Sequence, residues 1–289
     1  MKKISVRSMF IAEPGNILIA ADLSQAESWV VAHLAGERNM KHALEFGDIH
    51  TESAGNALFF PNVGCGHVWI KDKGIKQWIC ENCQRIVTEL MRYVGKRYNH
   101  ASSYRMGAEK AAQVINKDSD KPPFFTVTVR QSKEFSAAWH GYFNLKPWWA
   151  DIETQLGRNR TMVTPYGFKR TFFASWGNEL FKEATAFVPQ SAVASHALGK
   201  VQKELGIKGG LREIYNQLVK PYKPQHKLIN FSHDSFILEV PEAVGQEIGV
   251  RAMELFRRPM VVNNETFTIP VDGEIGPRWQ EMDKLSDGN

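Results

Sequence analysis

A chain of 289 residues with 43% apolar and 11% aromatic content can bury one large core or two smaller ones, and it is too apolar to be disordered. Its net charge of +5 favours an anionic partner only mildly. No apolar run approaches the roughly 18 residues that cross a bilayer, and Arg7, Glu13, Pro14 and Gly15 leave no room for a signal-peptide core, so a cytoplasmic location without membrane contact is expected.

Residues 10–22 read as a hairpin turning at Pro14-Gly15-Asn16, whose second arm delivers Asp22. Ser24 and Glu27 have capping-box spacing and start a helix over 25–34. A second helix is expected over 49–59. Residues 61–85 then carry Gly, Trp, Lys and all three cysteines with no helical period, which marks a small inserted module. Helices follow over about 86–106, 107–116, 131–143 and 145–156, the last opened by Pro147. Residues 161–173 form a strand, a Pro165-Tyr166-Gly167 turn and a strand. A long helix over about 179–205 precedes Gly209-Gly210. A strand pair over 228–240 is interrupted by His233-Asp234-Ser235, and a helix near 242–257 and a strand near 266–272 close the chain.

Three constellations carry chemistry. Asp22 and Asp234 each stand at a strand end and suit a two-metal centre. Between them Arg92, Lys96, His100 and Tyr104 recur every four residues. On a helix they form one stripe, in which Arg92 and Lys96 can hold successive phosphates and Tyr104 can stack on a base. Cys65-Gly66-His67 and Cys80-Glu81-Asn82-Cys83 offer four N/S ligands for a tetrahedral structural Zn²⁺. Lys71, Lys73, Lys76, Trp69 and Trp78 on the same module suit contact with nucleic acid.

In order, D-L-S-Q-A-E at 22–27, the R-x-x-x-K-x-x-x-H-x-x-x-Y helix and H-D-S at 233–235 resemble motifs A, B and C of family A DNA polymerases, with the bacteriophage-type branch most similar. Asp48-Ile49-His50, K-E-A-T-A-F-V-P-Q-S at 182–191 and the ending I-P-V-D-G-E-I-G-P-R-W extend the resemblance from about Arg7 to Trp279. It implies that Asp22 and Asp234, helped by the Leu23 carbonyl, bind two Mg²⁺ ions. It also implies that Gln25 and Glu27 line the nucleotide site, with Glu27 as the steric gate against a ribose 2′-hydroxyl. His50 and Arg92 would meet the β- and γ-phosphates, Lys96 the α-phosphate, His100 the nucleotide and Tyr104 the templating base. Gln190 would read the primer–template minor groove, and His233 would position the primer terminus. Arg105 follows Tyr104 where the family commonly has glycine, and Ser235 stands where many members carry a second acid.

The expected fold is therefore α+β: a right-hand palm of antiparallel sheet and helices over 1–38 and 176–289, helical fingers over 39–175, and a zinc-ribbon-like insertion at 61–85. No thumb or 3′–5′ exonuclease is expected in the chain, so that either a separate subunit supplies them, or the chain is a fragment of a longer enzyme, or it acts differently. The expected function is template-directed addition of dNTPs to a primer 3′ end on primer–template DNA, in a bacterial or phage-infected cytoplasm. The alternatives are a primase or RNA polymerase that uses rNTPs, and a non-catalytic DNA-binding subunit.

Overall fold

The structure is a computed structural model that describes residues 6–61, 64–72, 74–75, 77–117 and 125–285; Lys73 and Lys76 lie outside the described residues. In chain order come β1 (Asn16–Leu23), α1 (Ala26–Ala35), α2 (Arg38–Phe46) and α3 (Ile49–Glu52), which continues as a π-helix, Ser53–Phe59. Next are β2 (Trp69–Asp72), β3 (Gln77–Cys80), β4 (Ile86–Val87), α4 (Glu89–Ser103), α5 (Ala108–Asn116), α6 (Val129–Tyr142) and α7 (Lys146–Asn159). The remainder is β5 (Thr161–Val163), β6 (Lys169–Thr171), α8 (Asn178–Leu198), α9 (Gly210–Ile214), β7 (Lys227–Ser232), β8 (Ser235–Pro241), α10 (Gly245–Phe256), β9 (Pro259–Val262), β10 (Glu265–Thr268), β11 (Val271–Arg278) and β12 (Glu281–Lys284). No helix among the described residues is long and apolar enough to cross a membrane.

The chain forms two compact units: Met1–Val30 with Val163–Lys169 and Val188–Asn289, and Val31–Met162 with Arg170–Phe187. Those limits differ from the expected 38/39 and 175/176 divisions because α1 and α8 each contribute to both units.

The first unit is built on an antiparallel sheet of order β12-β11-β1-β8-β7. β8 is buried from Phe236 to Val240 without alternation, as expected of a strand covered on both faces. Its one charge, Glu239, accepts from Asn16 Nδ2 at 2.7 Å, which satisfies a carboxylate that burial would otherwise strand. α10 lays Gly245, Gly249, Ala252, Met253 and Phe256 inward, a helical period of three and four. Phe256 meets Phe236 edge-on at 4.9 Å.

The expected 10–22 hairpin does not form. Ile11 instead bridges Arg278, and both partners of β1 come from beyond residue 234. Gly199 at φ 91° ends α8 at Leu198, short of the expected 205. Where one closing strand was expected, β9 and β10 pair across Asn263-Asn264, both left-handed at φ 51° and 64°, before β11 begins.

In the second unit α4 packs against α3 and the π-helix. A Cβ on Gly95 would run into the His50 carbonyl and Ala54, so the close approach requires glycine. The expected 49–59 helix is α-helical only to Glu52; beyond it Phe60 N–H reaches the Gly55 carbonyl at 3.0 Å, a five-residue step that widens the turn. Buried Trp139, Tyr98 and Phe143 fill the space among the helices, and Tyr98 donates its hydroxyl to Ser132 Oγ at 2.6 Å.

Candidate active site and metal centre

Register brings the two aspartates to one end of one sheet. Asp22 faces Ser235 across β8 and Asp272 across β11, and Leu23 N–H donates to the Asp234 carbonyl at 3.0 Å. Paired Ser232 and Ser235 enclose a two-residue turn, whose first residue, His233, is left-handed at φ 56°. Burial pushes the Asp234 carboxyl above its usual range against the pull of His233, and Glu27 adds to the rise. A cation beside it would relieve both the burial and the repulsion.

Glu27 is the second residue of α1, and its Oε1 lies 3.2 Å from His233 Nε2. The position before the first residue of α1 falls on Gln25, not on Ser24. Ser24 and Gln25 form a turn, Gln25 is left-handed at φ 56°, and α1 starts only at Ala26. The Gln25 Oε1 is buried without a hydrogen-bond partner among the described residues. A cavity of about 430 Å³ opens beside Asp22, lined by Arg7, Asp272, Glu274, Trp279 and Lys284 among others. Asp272 and Glu274 were not anticipated as site residues. The alternation V-D-G-E was the available signal, since it turns both carboxylates to the exposed side of β11. Gln190 is exposed on α8, next to Pro189 within that helix.

In the helical unit Lys96 and His100 are exposed along α4 and Arg92 is half-buried. Tyr104 falls just past the helix as its C-cap, at φ −111° and ψ 31°. Arg105 follows at φ 60°, the left-handed geometry that glycine adopts most easily. It is held there by Glu153 at 2.6 Å and lies over the rings of Trp149 and Phe181. Arg92 pairs with Asp48 through two bonds, Nε to Oδ2 at 2.5 Å and Nη2 to Oδ1 at 3.1 Å. Although burial pushes Asp48 up, the Arg92 bonds hold its carboxyl below the usual range. Asp48 also caps α3 by accepting from Thr51 N–H.

His50 is buried and its tautomer follows from a donor-only neighbour. Trp139 Nε1 can only donate, and it does so to Asn99 Oδ1 at 2.9 Å. That fixes the amide, so Asn99 Nδ2 is the group 3.0 Å from His50 Nδ1. Nδ1 therefore accepts, and the proton sits on Nε2. Burial, opposed by Asp48 and reinforced by Arg92 and Lys96, pushes the His50 imidazole down to about 3, leaving a neutral Nε2–H donor.

Cys65, His67, Cys80 and Cys83 converge so that their ligand atoms all lie within 4.8 Å of one another. The two sulfurs of Cys65 and Cys80 are 3.9 Å apart, and His67 Nδ1 lies 3.2 Å from Cys80 Sγ and 3.4 Å from Cys83 Sγ. A tetrahedral ion with ordinary zinc bond lengths needs roughly 3.8 Å between sulfurs and roughly 3.5 Å between sulfur and nitrogen. The residues fit. Burial pushes the Cys80 thiol up, but bonds from His67 and from backbone amides outweigh it and bring it down to about 6. Burial and the neighbouring thiols push Cys65 up to about 11, a conflict between adjacent thiolates that a shared cation removes. The strands β2, β3 and β4 form an antiparallel ribbon around these ligands. Trp69 fixes it to the π-helix, donating Nε1–H to Asn56 Oδ1 at 3.0 Å and filling the space where Gly55 has no side chain.

The family model for DNA polymerase family A matches residues 1–63. A thermostable DNA polymerase I of Thermus filiformis is 26% identical over 282 residues, 94% of this chain and 28% of that protein. DNA polymerase I of Chloroflexus aurantiacus is 27% identical over 98% of this chain and 26% of its own length. The DNA polymerase of Escherichia phage T5 is 24% identical over 82% of this chain and 27% of its own. The chain thus spans little more than a quarter of these relatives. Among solved structures, the POL domain of Pol1 from M. smegmatis, in complex with DNA primer-template and dNTP, superimposes with a TM-score of 0.67 at 18% identity, covering 95% of this chain and 42% of that one. The two share a fold.

Proposed function

We propose, from its similarity to DNA polymerases of family A, that the chain adds deoxynucleotides to a primer 3′ end as a DNA template directs. The observation that carries the reading is the joining of Asp22 and Asp234 at one sheet end, through the Leu23 N–H to Asp234 carbonyl bond of 3.0 Å. With the Leu23 carbonyl, these carboxylates would hold two Mg²⁺ ions, which supply activation of the 3′-hydroxyl and charge neutralisation on the leaving pyrophosphate. The elevated Asp234 carboxyl is consistent with a group that gains from an adjacent cation.

The chain's own residues do the rest. His233 presents the primer terminus and keeps Glu27 in place at 3.2 Å, where that carboxylate excludes a 2′-hydroxyl. Gln25 lines the same strand end, its unpartnered Oε1 offering an acceptor. In the helical unit Arg92 and Lys96 bind phosphates, and His50 donates Nε2–H to them. His100 and Tyr104 meet the nucleotide and the templating base, and Gln190 reads the primer–template minor groove. The Cys65, His67, Cys80 and Cys83 set holds a structural Zn²⁺, the ion whose bond lengths its separations suit.

The test is extension of a labelled primer–template with Mg²⁺ and dNTPs by the wild-type chain, Asp22→Asn and Asp234→Asn. Each variant is expected to lose about a thousandfold or more in rate while it still melts cooperatively and binds DNA. Wild-type rates in either variant would refute the two-metal assignment.

A further inference from the structure

The Cys/His ribbon and the helix that carries Arg92 are joined at two points. The first is covalent. β4 ends at Val87, and only Thr88, the N-cap of α4, lies between it and Glu89. Met91 N–H donates to Thr88 Oγ1 at 3.2 Å and Arg92 N–H to the Thr88 carbonyl at 2.9 Å, so the last strand of the ribbon sets the first turn of the helix.

The second joint is between side chains. β3 pairs on both sides, with Trp78 opposite Lys71 in β2 and Val87 in β4. The Arg92 guanidinium lies over the Trp78 ring, 5.2 Å from its centroid. Asp48 grips one edge of the same guanidinium at 2.5 and 3.1 Å. A planar fork with five donors is thus fixed by an aromatic face and a carboxylate edge, and donors on its other edges remain for a ligand. Trp78 also stands two residues before Cys80, so strand alternation puts the ring and the buried thiol on the same side of β3.

We infer that the ribbon is a positioning device for Arg92, with Trp78 as its contact and the Cys₃His centre as the clamp that keeps Trp78 in place. The ligand that Arg92 receives, a nucleoside triphosphate, rests on the polymerase reading above. Strands of four, four and two residues make a small sheet with little margin of its own, so a bound cation would add to the order that the Trp69 anchor supplies. Loss of the cation releases the ring, and Arg92 then meets the triphosphate from a looser pose. The aspartates in the other unit are untouched. The signature is therefore a raised KM for dNTP with kcat preserved.

The full chain is compared with Trp78→Ala, Trp78→Phe and Cys83→Ala by primer-extension kinetics, zinc content and thermal melting. The NMR signal of Arg92 Nε–H is followed in each and after treatment with a zinc-selective chelator. Trp78→Ala and Cys83→Ala should raise KM about fivefold, the worth of one cation–π contact, with kcat within about twofold, while Trp78→Phe restores KM. The Arg92 signal should carry a ring-current displacement that is lost in Trp78→Ala and after chelation and kept in Trp78→Phe. An unchanged KM in a folded Trp78→Ala, or an Arg92 signal that moves in neither case, would overturn the inference. The Arg92 signal decides the ribbon's role even if the wild-type chain extends no primer, a result that would defeat the polymerase reading instead.

Discussion

Glu27 shows how one side chain can match a pattern and serve another end. Its spacing from Ser24 has the form of a capping box, yet left-handed Gln25 moves the helix start to Ala26 and turns the Glu27 carboxylate to His233. A steric gate there predicts that Glu27→Ala raises rNTP use relative to dNTP by about ten- to a hundredfold. Competing single-nucleotide insertions measure it, and unchanged discrimination would place the sugar check elsewhere. A second prediction belongs to His196. It is buried, shares a hydrogen bond with the Tyr166 hydroxyl through Nδ1 at 2.6 Å, and has its carbonyl held by Arg258. Burial, with Arg258 adding to it, pushes this imidazole from 6.5 down to about 3. The unfolded chain therefore binds a proton that the folded chain refuses, and stability falls as pH drops from about 6.5 towards 3. The effect is nil above pH 7 and reaches the order of 4 kcal/mol at the acid end. Thermal melting from pH 7 to 4 should show a steep loss that His196→Gln makes shallower; parallel curves would assign the acid sensitivity to other groups.

At the scale of elements, α4 is legible as a helix because its stripe is a local signal, although residues 86–87, expected to be its start, form β4 instead. The partners of α4 are not legible. Asp48 reaches Arg92 across 44 residues of sequence, and Asn99 orients His50 across 49; neither pairing is written in a spacing. The 10–22 hairpin failed for the same reason: Pro14-Gly15 is a real turn signal, but the edges of β1 are taken by β8 and β11. The π-helix after Glu52 was hidden because its residues have an ordinary helical composition. What made the contact there legible in retrospect is Gly95, whose missing side chain admits the His50 carbonyl and Ala54. Gly95→Ala should cost about 2–3 kcal/mol, since what it meets is chiefly backbone, and should lower the melting temperature by several degrees. A change under about 0.5 kcal/mol would mean that α4 and the π-helix part readily.

At the scale of the whole molecule, the convergence of Asp22 with Asp234, and of Cys65, His67, Cys80 and Cys83 with one another, was legible because each set combines a demanding chemistry with a short motif. The structure brings each set together within one unit: the aspartates on one sheet end, the ligands within 4.8 Å. Less was legible of what surrounds them. Asp272 joins the acidic end only through sheet register, and Trp78 meets Arg92 only through the fold of the ribbon. In the proposed function these parts serve one reaction, the template-dictated transfer of a deoxynucleotide. Its most direct test is single-nucleotide insertion on four primer–templates that differ only in the templating base, each offered all four dNTPs with Mg²⁺. The complementary nucleotide should be added on every template, and Asp234→Asn should add none. Addition of the same nucleotide whatever the template, or none by a folded, DNA-bound wild-type chain, would contradict the proposed function.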